Sequence, residues 1–287
     1  MKLAIGSVQF GVAYGVTNTT GQTSAQEVAK ILETAKQNGI DLIDTAAAYG
    51  VSEETLGAQP GFVDFKVVTK LAPISAGLGV GAVRDGFSMS LKKLRRTRVE
   101  GLLAHRPEDL LESNGERFLA IMRELKSEGL TDKIGVSVYN QEQIDALWSK
   151  FKFDLIQLPL NIFDQRLFKS GAVQRLIDSG VEVHVRSVFW QGLLAKRPLN
   201  VPAPLKAAEA RLSEFHEWSE QASISPRAAA LKFVEMTGAH YAVVGAETSA
   251  QLSEIADDFQ KSRNVSFDRD WSWTGNPDVL NPQNWKG

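Results

Sequence analysis

The chain has no cysteine, which excludes disulfides, thiolate nucleophiles and zinc–thiolate centres. Its four histidines (His105, His184, His216 and His240) are dispersed, and only His105 ends an apolar run, so no metal site is expected. Neither charge is in excess. The 32 basic and 34 acidic residues leave a net charge of −2, and no field favours nucleic acid or an anionic membrane. No apolar run approaches the length needed to span a bilayer. The start, Met1 to Gly6, is too short and too soon broken by glycine to read as a signal peptide, so a cytoplasmic protein is expected. At 287 residues the chain is long enough to bury most of its apolar surface, and a closed α/β barrel fills this length as one domain.

What is present is alternation. Apolar, β-branched runs near 3–8, 40–44, 65–70, 99–104, 133–138, 154–158, 181–186 and 241–245 read as strands. Helical periods lie between them. Ser24 to Glu27 has capping-box spacing, Val28, Ile31, Leu32 and Ala35 follow at helical period, and Gly39 supplies the stop. Phe118, Ile121, Met122 and Leu125 repeat the pattern before Gly129, and Ser225-Pro226 opens a helix that Gly238 closes. Eight such units predict a single-domain, closed (β/α)8 TIM barrel over residues 1–287, with a doubly wound open sheet as the alternative. Beyond about Phe259 there is no clear period. The segment holds Trp271, Trp273, Pro277, Pro282 and Trp285 and reads as an irregular tail.

Four side chains stand where predicted strands give way to loops: Asp44, Tyr49, Lys70 and His105. In a barrel, groups at the carboxyl ends of different strands converge. A phenol is a poor acid at neutral pH, with an ordinary pKa of about 10. A neighbouring ammonium favours the phenolate and lowers that value, and Lys70 is placed to supply it. A buried lysine needs a carboxylate partner to stay charged, and Asp44 is the candidate. His105, neutral, would donate to the substrate oxygen. The set suits protonation of a carbonyl oxygen while hydride reaches the carbon. Singly, each residue reads equally well as a loop cap or packing; jointly they read as chemistry.

These residues and their surroundings resemble the aldo-keto reductase superfamily. Ile40 to Gly50, followed by Glu53, Glu54 and Leu56-Gly57, is similar to its strand-two motif with catalytic aspartate and tyrosine; Lys70 and His105 match its lysine and histidine. Lys133 to Ser137, Ile156 to Asn161 and Ser225 to Phe233 continue the resemblance in order. It implies an NAD(P)H-dependent reductase acting on a small-molecule carbonyl substrate. NADPH is the expected cofactor and NADH the alternative, bound without a Rossmann domain. By position, Gly6, Ser7 and Val8 would lie under the nicotinamide, with Ser137 and Gln157 on its carboxamide. Ser187, Phe189, Gly192 and Leu193 would bracket the pyrophosphate, while Gly245, Glu247, Thr248, Gln251 and Glu254 would meet the adenosine.

The sequence departs from that pattern in three places. Val138 follows Ser137 where an asparagine is common, and Arg186 stands where an aromatic residue often stacks on the nicotinamide. A guanidinium there disfavours the cationic, oxidised ring. The loop after strand eight, Val244 to Gln251, offers hydroxyls and Glu247 but no cation for a 2′-phosphate, which predicts tolerance of NADH. Phe10 and Trp190 are the candidate substrate-binding residues, with Tyr14, Gln9 and Asn161 as further pocket candidates. A cofactor-binding regulatory barrel with little turnover is the competing functional class.

Overall fold

The computed structural model describes residues 1–73, 79, 81–198, 201–281 and 284–285. Strands β1 (Lys2–Gly6), β2 (Leu42–Asp44), β3 (Lys66–Leu71), β4 (Val99–Ala104), β5 (Thr131–Ser137), β6 (Leu155–Pro159), β7 (Glu182–Arg186) and β8 (Tyr241–Gly245) are all parallel. They pair in chain order, and β8 returns to β1 through Lys2↔Tyr241 to Gly6↔Gly245, closing the expected barrel. An open doubly wound sheet is thereby excluded. β1 is shorter than its apolar run: Ser7 leaves the extended region (φ −100°, ψ 12°) and Val8–Gly11 turn helical.

Side chains alternate across a strand with a period of two. Ala4, Leu42, Val68, Leu103, Leu155, Tyr241 and Val243 form a cluster of their own inside the barrel, separate from the larger core beneath the helices. Two residues beyond these interior positions stand Gly6, Asp44, Lys70, His105, Gln157 and Gly245. The parity that packs the barrel therefore brings these positions to one mouth. Gly135 allows that packing, because a Cβ there would lie 1.9 Å from the Leu155 carbonyl oxygen. The opposite end is closed by ions. Lys133 Nζ donates to Glu100 at 2.8 Å and to Glu182 at 2.9 Å, and Glu182 pairs with His184 at 2.9 Å.

The helix Ala25–Gln37 buries Val28, Ile31, Leu32 and Ala35 against the strands, and Gly39 ends it at φ 67°. Only half of its capping box forms. Ser24 Oγ accepts the Glu27 N–H, but the Glu27 carboxylate accepts from the N–H and hydroxyl of Ser249, both at 2.7 Å. That bond ties the helix to the helix Ser249–Lys261. Among its described residues the tail has two short helical turns, Ser262–Asn264 and Pro277–Leu280, yet it is packed. Trp271 is buried between Phe215 and Trp218, and Trp273 N–H donates to the Phe163 carbonyl at 2.8 Å. Pro282 lies outside the described residues.

Candidate active site

The carboxyl ends of the strands open on a cavity of about 740 Å³, within the range of small-molecule sites. Asp44 and Lys70 meet beneath its wall, 3% and 1% exposed. Lys70 Nζ donates to Asp44 Oδ2 at 2.5 Å, to the Thr45 carbonyl at 3.0 Å and to the Tyr49 hydroxyl at 3.3 Å. All three ammonium donors are thus directed. Burial alone would pull the lysine towards neutrality, but Asp44 and Tyr49 outweigh it and hold its pKa above the ordinary value.

Tyr49 lies in the turn after β2, its N–H donating to the Ala46 carbonyl at 3.0 Å. The short helix Val8–Gly11 abuts this turn so closely that a Cβ on Gly11 would fall 1.7 Å from the Tyr49 carbonyl oxygen. Ser52 donates to the Ser7 carbonyl and hydroxyl, and Thr69 donates to Glu53 at 2.7 Å, so the residues after Tyr49 are anchored on both sides. Burial raises the phenol above its ordinary pKa, and the opposing pull of Lys70 does not cancel this. The sequence-based expectation of a lowered value is corrected here, since desolvation of the phenolate is the larger effect. The group remains a protonated donor.

His105 packs edge-on to Tyr49, ring centroids 5.8 Å apart. Its Nδ1 is buried without a partner among the described residues, leaving Nε2 as the nitrogen that faces the cavity. Burial, with Lys70, Arg186 and Arg106 nearby, drives its pKa down to about 3, so the ring is neutral. Gln157 Nε2 donates to Asp44 Oδ1 at 2.7 Å, while its Oε1 is buried and unpartnered among the described residues. Arg186 Nη2 donates to the Val138 carbonyl at 3.1 Å, Nε reaches Ser137 Oγ at 3.4 Å, and the guanidinium lies 4.1 Å from the Tyr139 ring centroid.

Most of the expected cofactor residues line this cavity. Gly6, Val8, Ser137, Gln157 and Arg186 do so at the strand ends, and Ser187, Phe189 and Gly192 in the loop after β7. In that loop Ser187 and Gln191 take left-handed φ of 60° and 55°, a strained path of the kind kept at functional sites. Gly245, Glu247, Gln251 and Glu254 line the cavity after β8. Three expected residues turn elsewhere. Ser7 is buried against Ser52, Leu193 is buried with its carbonyl on His216 Nε2, and Thr248 caps the last helix by accepting the Gln251 N–H.

Both substrate candidates are corrected. Phe10 and Trp190 are each 0% exposed and belong to the core beneath the helices rather than the cavity wall. Phe10 lies on the core side of the short helix after β1. Trp190, with φ 46°, turns inward onto Phe163 and Trp285. Tyr14 and Gln9 do line the cavity. Tyr139, Lys196 and Arg227 also line it without having been anticipated; they belong to no strand-end motif, so period gave no signal for them. Residues 14–20 arch over the cleft, Thr17 reaching the Gln191 carbonyl and Thr20 the Glu247 carboxylate. Among the described residues, no group of three or more His, Asp or Glu side chains is placed to hold a metal. No helix among them is long and apolar enough to cross a membrane.

The family model for the aldo/keto reductase family matches residues 2–265. Aldo-keto reductase YhdN of Bacillus subtilis is 29% identical over 162 residues, which are 52% of this chain and 48% of that protein. An aldo-keto reductase of Mycolicibacterium vanbaalenii is 34% identical over 132 residues, 44% of this chain and 46% of its own. The chain thus spans about half the length of the curated relatives it matches. In fold it is similar to the holo form of aldo-keto reductase AKR11C1 from Bacillus halodurans. There the TM-score is 0.72 at 18% identity, covering 94% of this chain and 95% of that one. The glycerol dehydrogenase AKR11B4 of Gluconobacter oxydans gives 0.68 at 23% identity, covering 91% and 89%.

Proposed function

The chain belongs to the aldo/keto reductase family, and from that premise we propose that it is a cytoplasmic, single-domain, NAD(P)H-dependent enzyme that reduces an aldehyde or ketone to its alcohol. The observation that carries the reading is one cation held between an acid and a phenol. Lys70 Nζ bonds both Asp44 and the hydroxyl of Tyr49 at the cavity wall.

Tyr49 gives its proton to the carbonyl oxygen as the carbon gains hydride, and the product is the alcohol. A raised pKa keeps the phenol loaded at neutral pH. Lys70 then stabilises the phenolate as it forms, a charge that exists only along the reaction and so lowers the barrier. Asp44 keeps Lys70 charged. Neutral His105 donates from Nε2 to the same oxygen and orients it. The residues fit a nicotinamide dinucleotide. Gln157 presents an unpartnered, buried Oε1 suited to a carboxamide N–H, beside the Ser137 hydroxyl. That group, when bound, supplies the hydride.

The test is a panel of aldehydes and ketones incubated with the purified protein and either NADPH or NADH, following loss of the reduced nicotinamide. Turnover of at least one carbonyl is expected. Tight dinucleotide binding with no turnover across the panel would replace this reading with that of a regulatory barrel.

A further inference from the structure

Arg186, Lys196 and Arg227 are the lysine and arginine side chains that line the cavity among the described residues. Arg227 is paired with Asp258 at 2.6 Å and Glu254 at 2.9 Å, and Lys196 is exposed on the segment after β7. Arg186 differs from both. It stands half-buried at the carboxyl end of β7 and makes no ion pair among the described residues. Nε and Nη2 engage one edge of its guanidinium with Ser137 Oγ at 3.4 Å and the Val138 carbonyl at 3.1 Å, and the Tyr139 ring covers one face at 4.1 Å. A guanidinium carries its N–H donors in a planar fork, so the Nη1–Nη2 edge keeps parallel donors with no acceptor among the described residues. This charge reaches the reacting groups. Desolvation raises the Tyr49 phenol and lowers the His105 imidazole, and Arg186 is among the charges acting on both. The Tyr14 phenol is raised by desolvation and then by Tyr49, against the pull of Arg186, so its hydroxyl keeps its proton.

We propose that Arg186 receives a carboxylate carried by the substrate, so that the protein acts on oxo acids, carbonyl compounds that bear a carboxylate group. The proposal rests on the reductase reading above and names its substrate class. The acids that line the cavity are all engaged elsewhere. Asp44 is held by Lys70 and Gln157, Glu254 by Arg227, and Glu247 accepts from the Thr20 hydroxyl. Lys70 and Asp44 balance one another, so Arg186 leaves a net positive charge at the end of the cavity where the carbonyl oxygen is protonated. A half-buried cation without a counter-ion is unfavourable. An anionic substrate offsets that cost, and a neutral one does not. The free edge selects shape as well as charge, because two parallel N–H groups match the two oxygens of one carboxylate. Tyr14 also lines the cavity, and its hydroxyl, with no partner among the described residues, is a further donor to the same anion.

The test compares oxo acids with their methyl esters, pyruvate with methyl pyruvate and levulinate with methyl levulinate, as substrates of the whole protein at saturating reduced dinucleotide. The readout is the ratio of kcat/KM for acid over ester within each protein, so that a general defect in a variant cancels. The parent is expected to favour the acid at least about tenfold, and Arg186→Gln to lose about tenfold or more of that ratio. Arg186→Lys, which keeps the charge without the fork, should fall between them. The parent's ratio should also shrink with added salt. Equal ratios in the parent and Arg186→Gln, or a parent that prefers the esters, overturn the proposal and leave the reductase reading standing. So does a defect in Arg186→Gln that falls on the dinucleotide dissociation constant with the ratio unchanged. If no carbonyl is turned over, the reductase reading fails, and titration of the dinucleotide-free protein with levulinate, followed by ligand-observed NMR, decides the anion site by itself. Binding that Arg186→Gln weakens about tenfold supports that site; no binding, or equal binding by the two proteins, overturns it as well.

Discussion

Asp44, Lys70 and Tyr49 form a unit in which no member's role is separable by simple deletion. Tyr49→Phe removes only the hydroxyl, so turnover should fall by about 10²–10⁴-fold, the usual worth of a positioned proton donor. Dinucleotide dissociation constants should stay within about threefold of the parent's. Near-parental turnover on a substrate the parent reduces would end the assignment. Lys70→Met is a poorer probe, because it strands the Asp44 carboxylate inside the barrel. An unpaired buried charge costs about 3–5 kcal/mol, so the single variant should unfold at markedly lower urea, and Lys70→Met with Asp44→Asn should recover much of the loss while remaining inactive. His105 yields a prediction in pH. Its folded pKa of about 3 lies below the ordinary 6.5. The unfolded chain therefore binds the extra proton between those values, and the stability His105 contributes is full above 6.5 and lost as pH falls towards 3. His105→Gln should flatten that acid-side decline in denaturation midpoint. Turnover of the parent should show no histidine limb between about pH 5 and 8; a limb there that disappears in His105→Gln would show the ring to be protonated in that range.

At the scale of elements, the strands and their ends were readable because one rule, the period of two, fixes both the packing and the site. Leu42, Val68 and Leu103 fill the barrel, and the same parity two residues on gives Asp44, Lys70 and His105. The rule fails once a chain leaves its strand. Phe10 and Trp190 sit just past β1 and β7, where a helical turn and left-handed backbone send aromatic side chains into the core, and alternation carries no information about those turns. Arg227 and Lys196 were hidden for a different reason: they meet the cavity only because the barrel closes. Closure also demands small residues in particular strands. Gly135→Ala would drive a Cβ to 1.9 Å from the Leu155 carbonyl oxygen and 2.8 Å from Leu103 Cδ2. Backbone cannot yield as a flexible side chain does, so β5 and β6 must separate. A loss of about 1–3 kcal/mol or more in urea unfolding is expected. A loss below about 0.5 kcal/mol, the range of ordinary surface substitutions, would mean that the strands accommodate the methyl group.

For the molecule as a whole, the barrel match ends at residue 265, but the chain continues into a segment rich in tryptophan. Its sequence has no period and reads as an appendage. The packing says otherwise. Trp271 is 1% exposed, with its ring 5.3 Å from both Phe215 and Trp218 and the guanidinium of Arg211 4.6 Å from its face. Trp285 closes on Trp190 at 5.8 Å, next to the loop that walls the cavity. An aperiodic segment buries apolar surface through single large anchors instead of a stripe, so its contribution is concentrated in few residues. Trp271→Ala should accordingly cost about 3–5 kcal/mol, the range for deleting a large aromatic side chain from a core. Urea unfolding measures it directly. The midpoint should fall while the slope stays unchanged, since the same surface is exposed on unfolding. Because Trp271 does not line the cavity, turnover per folded molecule should be preserved below the transition. A cost under about 1 kcal/mol, in the range of a surface change, would show that the tail rests on the barrel without supporting it. A reduced slope with a preserved midpoint would instead indicate that the tail unfolds apart from the barrel.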